Sequence, residues 1–289
     1  MVSNSSDMGT EHRLDAHRLH ARVGRDKTAK PTPSITVLPR MRDLKLDKES
    51  IDRKYLCGVG VGPGDPKLLT LAAVEAIKSA DLVLAPTSSQ DEPGRAEEII
   101  RKAIGAIPIR RILFDMTKGE IGIELRKATA SAAAKEIATL LRPGERAAFL
   151  TIGDPNVFST FNLLARSVAS IDPSFEISSI PGIMAFQDLV SRSGMTLLDE
   201  EESLRLLVGL HVDDQIEEAL RDSSSAVVIY KGGRNLPAIV ELARRTDRLA
   251  DSWIGMKIGL EESEVTRLQD IGVEPVGYLS TVIFPPKRH

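Results

Sequence analysis

A run of alternating glycines is the segment of this chain whose residue types and spacing most strongly suggest chemistry. Four glycines alternate with valine and proline in residues 58–64, directly after the apolar residues 55–57 and before Asp65-Pro66. Glycine has no Cβ, so a flat ligand, or one that needs backbone hydrogen bonds, can approach the chain closely at such a place. We therefore predict that this segment ends a strand and forms the floor of a binding site.

The glycine segment does not match the common nucleotide-binding and hydrolase patterns. The three possible registers of G-x-G-x-x-G place Pro63, Asp65 or Lys67 where the last glycine is required. The sequence also lacks G-K-S/T, G-x-S-x-G and H-E-x-x-H, and the two histidines beyond residue 50, His211 and His289, are far apart. Histidine triads and zinc hydrolysis are therefore poorly supported. A tight turn with close packing remains the alternative to a ligand floor.

Two further glycine turns follow apolar segments later in the chain. Gly153-Asp154-Pro155 follows residues 146–152, and Pro181-Gly182 follows residues 175–180. In an open α/β sheet, ligands bind beyond the carboxyl ends of parallel strands, so we expect the three turns to share one edge. Asp154 is typical of a residue that caps a helix through backbone N–H groups.

The elements that must position these turns alternate from residue 53 onward. Strands are predicted at 56–61, 82–85, 109–114, 146–152, 175–180, 203–210, 226–230, 253–260 and 277–284. Helices are predicted at 68–80, 96–104, 124–141, 158–169, 185–193, 215–220 and 236–246. This pattern predicts an α/β fold with a mainly parallel N-terminal sheet. The last five strands predict a mixed C-terminal sheet.

The predicted organisation has three parts. Residues 1–50 have little apolar periodicity and are predicted to form a disordered arm. Residues 51–172 and 173–289 are predicted to form two α/β domains, and a cleft between two such domains is the default place for a ligand.

Composition excludes several classes of protein. The net charge of −3 gives no general attraction to nucleic acid or to an anionic membrane. No apolar stretch reaches the roughly 18 residues of a membrane helix, and residues 1–24 do not resemble a signal peptide. The single cysteine, Cys57, excludes an internal disulfide and a cysteine-cluster metal site. We therefore expect a cytoplasmic protein with no resident metal.

Four segments together resemble the tetrapyrrole (corrin/porphyrin) methylase family, which uses S-adenosylmethionine. They are GVGVGPGDPKLLTL (58–71), ADLVLAP (80–86), FLTIGDP (149–155) and SIPGI (179–183). The resemblance covers roughly residues 54–284. Within the family, residues 115–117, 153–161 and 230–237 are most similar to the precorrin-2 C(20)-methyltransferases.

The resemblance implies a fold, a cofactor and a reaction. It implies S-adenosylmethionine bound in a cleft between two domains of a homodimer. The reaction implied is methyl transfer to the C-20 meso carbon of precorrin-2 or cobalt-precorrin-2, in cobalamin biosynthesis. An electron-rich meso carbon would attack the methyl group, so the protein would chiefly align the reactants and exclude water.

The resemblance also implies site residues. Those for the cofactor are Pro63, Ile152, Gly153, Asp154, Met184, Ala185, Lys231, Gly259 and Leu260. The tetrapyrrole substrate carries carboxylates, so cations near the cleft are candidates to bind it. The substrate candidates are Gly62 as floor and the cations Arg95, Lys118, Arg234 and Lys231. Asp154 and Asp115 are candidates for a general base, although neither stands out.

Several alternatives stay open at this stage. Within the family these are uroporphyrinogen methylation, methylation of another corrin carbon, diphthine synthesis and ribose methylation of ribosomal RNA. The modest charge disfavours an RNA substrate, which would require a basic face. A dinucleotide-binding oxidoreductase and a non-catalytic cofactor-binding protein are alternatives of other classes.

Overall fold

A computed structural model describes residues 52–114, 119–272 and 274–288 of the chain. These residues belong to one compact unit, Ile35–His289. The predicted N-terminal arm, 1–50, lies outside the described residues. The first elements are β1 (Lys54–Gly60), α1 (Leu71–Ser79), β2 (Leu82–Thr87), α2 (Arg95–Ile104), β3 (Arg110–Leu113), α3 (Gly119–Leu140), β4 (Arg146–Thr151), α4 (Phe161–Ile171) and β5 (Phe175–Ile180).

The later elements alternate less regularly. They are α5 (Ala185–Ser193), β6 (Ser203–Val208), α6 (Asp214–Arg221), β7 (Ser225–Tyr230), α7 (Leu236–Arg245), β8 (Trp253–Met256), β9 (Glu264–Arg267) and β10 (Ser280–Phe284). None of the described helices is long and apolar enough to cross a membrane.

The first sheet is parallel throughout, with strand order β3-β2-β4-β1-β5. β1 lies between its partners: Gly60 pairs with Thr151 of β4, and Val59 pairs with Ile180 of β5. The predicted parallel sheet is confirmed. Because all strands run in the same direction, the turns after β1, β4 and β5 all leave the sheet at one edge, the edge formed by the carboxyl ends of the strands.

Helices cover both faces of this sheet, as the near-continuous apolar strands predict. Leu56 and Phe149 belong to the cluster formed with α3 and α4, whereas Val59 and Leu150 belong to the cluster formed with α1 and α2. Alternate residues of β1 and β4 therefore contact different helix layers. This double burial fixes the register of the strands whose ends carry the glycine turns.

The second sheet is mixed, with strand order β6-β7-β10-β8-β9. β6 and β7 are parallel, and the remaining pairs are antiparallel. Val227 and Ile229 pack in the cluster with α6 and α7, while Val228 packs with Leu189 of α5. The predicted mixed sheet is confirmed.

The predicted membership of the two sheets was wrong at one strand. We expected Phe175–Ile180 in the second sheet, but β5 pairs with β1 in the first. The fifth strand of the second sheet is instead β9, which pairs with β8 and was not predicted. Its sequence, EVTR, is short and polar, so no apolar run marks it. A boundary at 172/173 would separate β5 from its sheet; the division into two domains stays a prediction.

Several element boundaries differ from prediction, and two of the differences have a clear local cause. The predicted helix at 68–80 divides into a 3-10 turn, Pro66–Leu68, and α1. Asp65 accepts from the Lys67 N–H at 2.9 Å and Thr70 accepts from the Ala73 N–H at 3.1 Å, so each segment has its own N-cap. The strand predicted to reach residue 260 ends at Met256, because Lys257 has φ 49°.

Candidate functional site

The turns that follow β1, β4 and β5 meet at one edge of the first sheet. The Gly153 N–H donates to the Gly62 carbonyl at 2.8 Å, and the two residues form an isolated β-bridge. The Gly182 N–H donates to Oδ2 of Asp154 at 3.2 Å. The expectation that the three glycine turns share an edge is confirmed.

Most of the glycines at this edge are required by the packing of the protein against itself. A Cβ at Gly60 would lie 2.5 Å from the Gly153 carbonyl oxygen and 2.5 Å from the Gly182 nitrogen. A Cβ at Gly58 would lie 2.5 Å from the Phe161 ring. Sequence analysis favoured space for a ligand at these positions; the structure instead supports the close-packing alternative.

Gly62 and Gly64 are likewise packed closely against the backbone of the protein. A Cβ at Gly64 would lie 2.6 Å from the carbonyl carbon of Gly259. Gly62 has φ 76°, and its Cβ would lie 3.2 Å from the Leu68 carbonyl oxygen. The role of Gly62 as a floor for substrate therefore stays a prediction, and no vacant space beside it supports that role.

Gly153 is the exception at this edge. It has φ 68°, which an L side chain adopts only with strain, yet a Cβ built there meets nothing within 4 Å. Its neighbour Ile152 is 37% exposed, although it is a large apolar residue that follows a buried strand. Gly153 itself is buried, but open space lies where its Cβ would point, and the exposed side chain of Ile152 is adjacent.

Asp154 holds two of the turns together. Its Oδ1 accepts from the Asn156 N–H at 2.8 Å, and its Oδ2 accepts from the Gly182 N–H at 3.2 Å. Both carboxylate oxygens thus bind backbone donors, as in a capping residue. This arrangement favours a positioning role, and the alternative role as general base stays a prediction.

Met184 and Ala185 lie where α5 begins, directly after the third turn. Both residues are half-buried. The Met184 N–H donates to Oε1 of Gln187 at 2.8 Å, which fixes the start of the helix. The Phe186 N–H donates to the Tyr230 hydroxyl at 3.4 Å, so the first turn of α5 also contacts the end of β7.

Lys231 connects the end of β7 to the turn after β4. Its N–H donates to the Ser280 carbonyl at 3.1 Å, and its Nζ donates to the Phe158 carbonyl at 3.1 Å. The Nζ also lies 5.7 Å from the centroid of the Tyr278 ring. Lys231 therefore lies at the same side of the molecule as Gly153.

Phe158 and Tyr230 are neighbours of this site that sequence reasoning did not single out individually. Their ring centroids are 5.9 Å apart in an edge-on arrangement, and Phe158 is 43% exposed. Burial raises the pKa of the Tyr230 phenol, so it stays protonated. Both residues belong to segments that carried the family resemblance, which is the signal that could have identified them.

Pro63, Gly259 and Leu260 form a second group of candidate residues. Pro63 lies in the loop after β1, and Gly259 and Leu260 lie in the loop after β8. Pro63 is buried, and Gly259, with φ 78°, packs on Gly64. A depression of about 310 Å³ lies here, lined by Gly64, Asp65, Pro66, Glu98, Ile99, Lys102, Arg192, Gly259, Leu260 and Glu261. Nζ of Lys102 and Oε1 of Glu261 form an ion pair of 2.6 Å across its rim.

The predicted substrate cations are less closely grouped. Arg95 is exposed at the first residue of α2, and its charge contributes to the lowered pKa of Glu262, for which Lys257 is the main cause. Arg234 is exposed in the 3-10 turn Gly233–Asn235 that follows Lys231. Asp115 and Lys118 lie outside the described residues.

Comparison with known proteins identifies the family. Residues 55–271 match the model of the Tetrapyrrole (Corrin/Porphyrin) Methylases. A precorrin-2 C(20)-methyltransferase of Sinorhizobium sp is 29% identical over 235 residues, which are 80% of this chain and 94% of that protein. A cobalt-precorrin-2 C(20)-methyltransferase of Salmonella typhimurium is 27% identical over 79% of this chain and 94% of its own length.

Solved structures agree on the fold. A cobalamin synthesis related protein (CobF) from Corynebacterium diphtheriae superposes with a TM-score of 0.61 at 18% identity, covering 81% of this chain and 98% of that one. A uroporphyrin-III C-methyl transferase from Thermus thermophilus, complexed with S-adenyl homocysteine, gives a TM-score of 0.53 at 20% identity, covering 81% and 97%. The chain thus belongs to the tetrapyrrole (corrin/porphyrin) methylases.

Proposed function

We propose that this protein transfers a methyl group from S-adenosylmethionine to the C-20 meso carbon of precorrin-2 or cobalt-precorrin-2, in cobalamin biosynthesis. The observation that carries the proposal is the similarity to precorrin-2 C(20)-methyltransferases along 94% of their length. The glycine turns at one edge of a parallel sheet support it, because ligands of α/β proteins bind at such edges.

The residues at this edge fit the proposed cofactor. Open space lies where a Cβ of Gly153 would point, with Ile152 beside it and Met184-Ala185 at the start of α5. These residues would hold the methionine and ribose part, and Pro63 and Gly259-Leu260 would line the adenine side. When bound, S-adenosylmethionine supplies an electrophilic methyl group.

The residues of the chain then act mainly by positioning. Asp154 ties the turn after β4 to the turn after β5, so the two walls of the site keep a fixed separation. Ile152 and Phe158 present apolar surface to a flat ring system and exclude water from it. Alignment of this kind supplies on the order of 7–11 kcal/mol of barrier reduction, which suits a reaction without a protein nucleophile.

Cations near the site would bind the acidic periphery of the substrate. Arg234 is exposed three residues beyond Lys231, and Arg95 is exposed at the start of α2. Guanidinium groups bind carboxylates through paired hydrogen bonds, so both are suited to this role. Both guanidinium groups belong to exposed residues, so they are available to side-chain carboxylates of a substrate.

A second candidate function lies within the same family. A siroheme synthase of Halorhodospira halophila is 29% identical over 63% of this chain, which is 36% of that protein's length. Methylation of uroporphyrinogen, which the family resemblance leaves open, is the main alternative to methylation of precorrin-2. The two functions differ in the carbon that receives the methyl group.

We further propose that the protein is homodimeric, as the family resemblance implies, and cytoplasmic, as its single cysteine favours. Light scattering coupled to gel filtration measures the mass directly. A mass near twice the 31.5 kDa of the chain is expected, and a mass near 31.5 kDa would contradict the dimer.

The experiment that tests the function combines binding with turnover. Calorimetry with S-adenosylmethionine is expected to show one saturable site per chain. Incubation with methyl-labelled S-adenosylmethionine is expected to label precorrin-2 and leave uroporphyrinogen III unlabelled. Absence of cofactor binding would contradict the proposal, and labelling of uroporphyrinogen III alone would favour the second candidate.

A further inference from the structure

The contact between Lys231 and Phe158 joins two residues with unusual backbone conformations. Lys231 has φ 61° and Phe158 has φ 48°. Positive φ is uncommon outside glycine and is unfavourable for a bulky aromatic residue such as Phe158. Conformations of this kind cluster at functional sites, where the surrounding structure maintains them. Here the two strained residues contact each other through the Lys231 Nζ and the Phe158 carbonyl.

The ammonium group of Lys231 has neutral partners in this arrangement. It donates to the Phe158 carbonyl at 3.1 Å and lies over the ring of Tyr278 at 5.7 Å. Within the part of the chain that the structure describes, no carboxylate lies within ion-pair distance of it. By contrast, Lys54 pairs with Asp172 at 3.1 Å and Lys102 pairs with Glu261 at 2.6 Å.

The position of Lys231 is equally specific. It is half-buried directly after the carboxyl end of β7, and it contacts Phe158 of the segment after β4 that also contains Gly153. Its neighbour Tyr230 contacts both Phe158 and the first turn of α5. Among the described residues, a positive charge without an acidic partner therefore lies beside the candidate site.

We propose that Lys231 is a substrate-binding residue that pairs with a carboxylate of the tetrapyrrole substrate. The inference rests on the proposed function and assigns Lys231 to the substrate instead of the cofactor. An ammonium group has three donors, so Lys231 can bind a carboxylate while it keeps its bond to the Phe158 carbonyl. A hydrogen bond between an ammonium group and a carboxylate is stronger than one between neutral groups.

Lys231→Met is the variant that tests this role. Methionine removes the charge but retains an unbranched side chain at the same φ of 61°, so the backbone strain is unchanged. Lys78→Met is the matched control. Lys78 is exposed on α1, so this variant makes the same chemical change away from the candidate site. Lys231→Arg restores the positive charge.

The measurements separate substrate from cofactor. We expect Lys231→Met to raise KM for precorrin-2 by about 10- to 100-fold, the usual effect of losing a charged hydrogen bond, with kcat changed less. Its Kd for S-adenosylmethionine is expected to stay within about 3-fold of wild type. Affinity for uroporphyrin III, used as a stable acidic probe, should fall and become less sensitive to salt. Lys231→Arg should recover most of both effects, and Lys78→Met should have neither.

Each contrary result has a distinct meaning. An unchanged KM in Lys231→Met, with an active wild type, would overturn the role of Lys231 and leave the proposed function intact. A selective loss of S-adenosylmethionine binding would assign the residue to the cofactor and likewise overturn the inference. If the wild-type protein binds S-adenosylmethionine but methylates no tetrapyrrole, the proposed function itself fails.

Discussion

Replacement of Gly60 by alanine tests the close packing that joins the three glycine turns. The added Cβ would lie 2.5 Å from both the Gly153 oxygen and the Gly182 nitrogen, roughly 1 Å short of ordinary van der Waals contact. Both contacts are with backbone atoms, so no change of rotamer can relieve them. Either β1 must move away from its neighbours or the turns must separate.

The expected cost follows from these distances. Overpacking a rigid site costs typically 1–3 kcal/mol, and two backbone contacts place Gly60→Ala near the upper end of that range. Alanine also restricts the unfolded chain, which offsets about 0.4–1 kcal/mol. We expect a net loss of about 2 kcal/mol in the free energy of unfolding. For a protein of this size that lowers Tm by about 4–8 °C.

Gly153→Ala is the matched control at the same edge. Its Cβ meets no protein atom within 4 Å, so the cost comes only from φ 68° and amounts to about 1 kcal/mol. The methyl group would, however, occupy the space proposed for the cofactor. We therefore expect Gly153→Ala to be the more stable variant and yet to bind S-adenosylmethionine at least about 10-fold more weakly than wild type.

Urea unfolding and calorimetry on both variants provide the assay. If Gly60→Ala matched wild type in stability, the backbone contacts described here would be wrong. If Gly153→Ala bound S-adenosylmethionine as tightly as wild type, the cofactor would not lie against this turn. A valine at Gly62 is a poorer test of cofactor placement, because φ 76° and the nearby Leu68 carbonyl already strain any side chain there.

Three further changes test other parts of the structure. A hydrogen bond from Arg111, with a second from Arg101, holds the pKa of the buried Glu97 below its usual value, against the effect of burial. The ionised Glu97 therefore stabilises the fold at pH values above its unfolded pKa, and this stabilisation is lost as the pH falls through its lowered, folded-state pKa. Glu97→Gln should cost about 3 kcal/mol at pH 7 and flatten the acid limb of a pH–stability curve, whereas the exposed control Glu124→Gln should change little; equal effects would contradict the assignment. Arg248 is 4% exposed, and among the described residues it donates to backbone carbonyls around α6, β7 and the end of β10. Arg248→Ala should therefore cost about 3–5 kcal/mol in urea unfolding, and a loss below about 1 kcal/mol would refute this. Asp154→Asn replaces one carboxylate oxygen by an NH₂ donor that faces a backbone N–H, which weakens the link between the turns after β4 and β5. Affinity for S-adenosylmethionine should therefore fall together with kcat/KM. A fall in kcat with unchanged affinity would instead make Asp154 the general base.

Much of the fold could be predicted because its elements are marked by local patterns. β5 and α5 begin and end where the sequence predicted, at Phe175–Ile180 and Ala185–Ser193. In both cases a Pro-Gly turn or a capping glycine delimits the apolar run. By contrast, β9 has no apolar run of its own, and its existence depends on pairing with β8.

The assignment of β5 to a sheet could not be read from the sequence. The turn after β5 resembles those after β1 and β4, but pairing of β5 with β1 is a long-range contact between strands that are far apart in the chain. The roles of the glycines were hidden for the same reason. Gly60 is required by Gly153 and Gly182, which only the folded strand order brings to it.

The candidate site was predicted in part. The turns at Gly153 and Gly182 were identified and do meet, and Met184 follows them as expected. The contact of Lys231 with Phe158 was not foreseen, because it depends on a strained backbone at both residues. Sequence patterns indicate residue types, whereas this contact depends on how the segment after β7 and the segment after β4 lie in the folded protein.

The central claim is methyl transfer to one particular carbon, and the position of the transferred label tests it most directly. Purified protein would be incubated anaerobically with precorrin-2 and S-adenosylmethionine that carries carbon-13 in its methyl group, and the product examined by NMR. We predict a single enriched methyl group bonded to the C-20 meso carbon. Enrichment at any pyrrole carbon or at another meso position, or a product without label, would contradict the account.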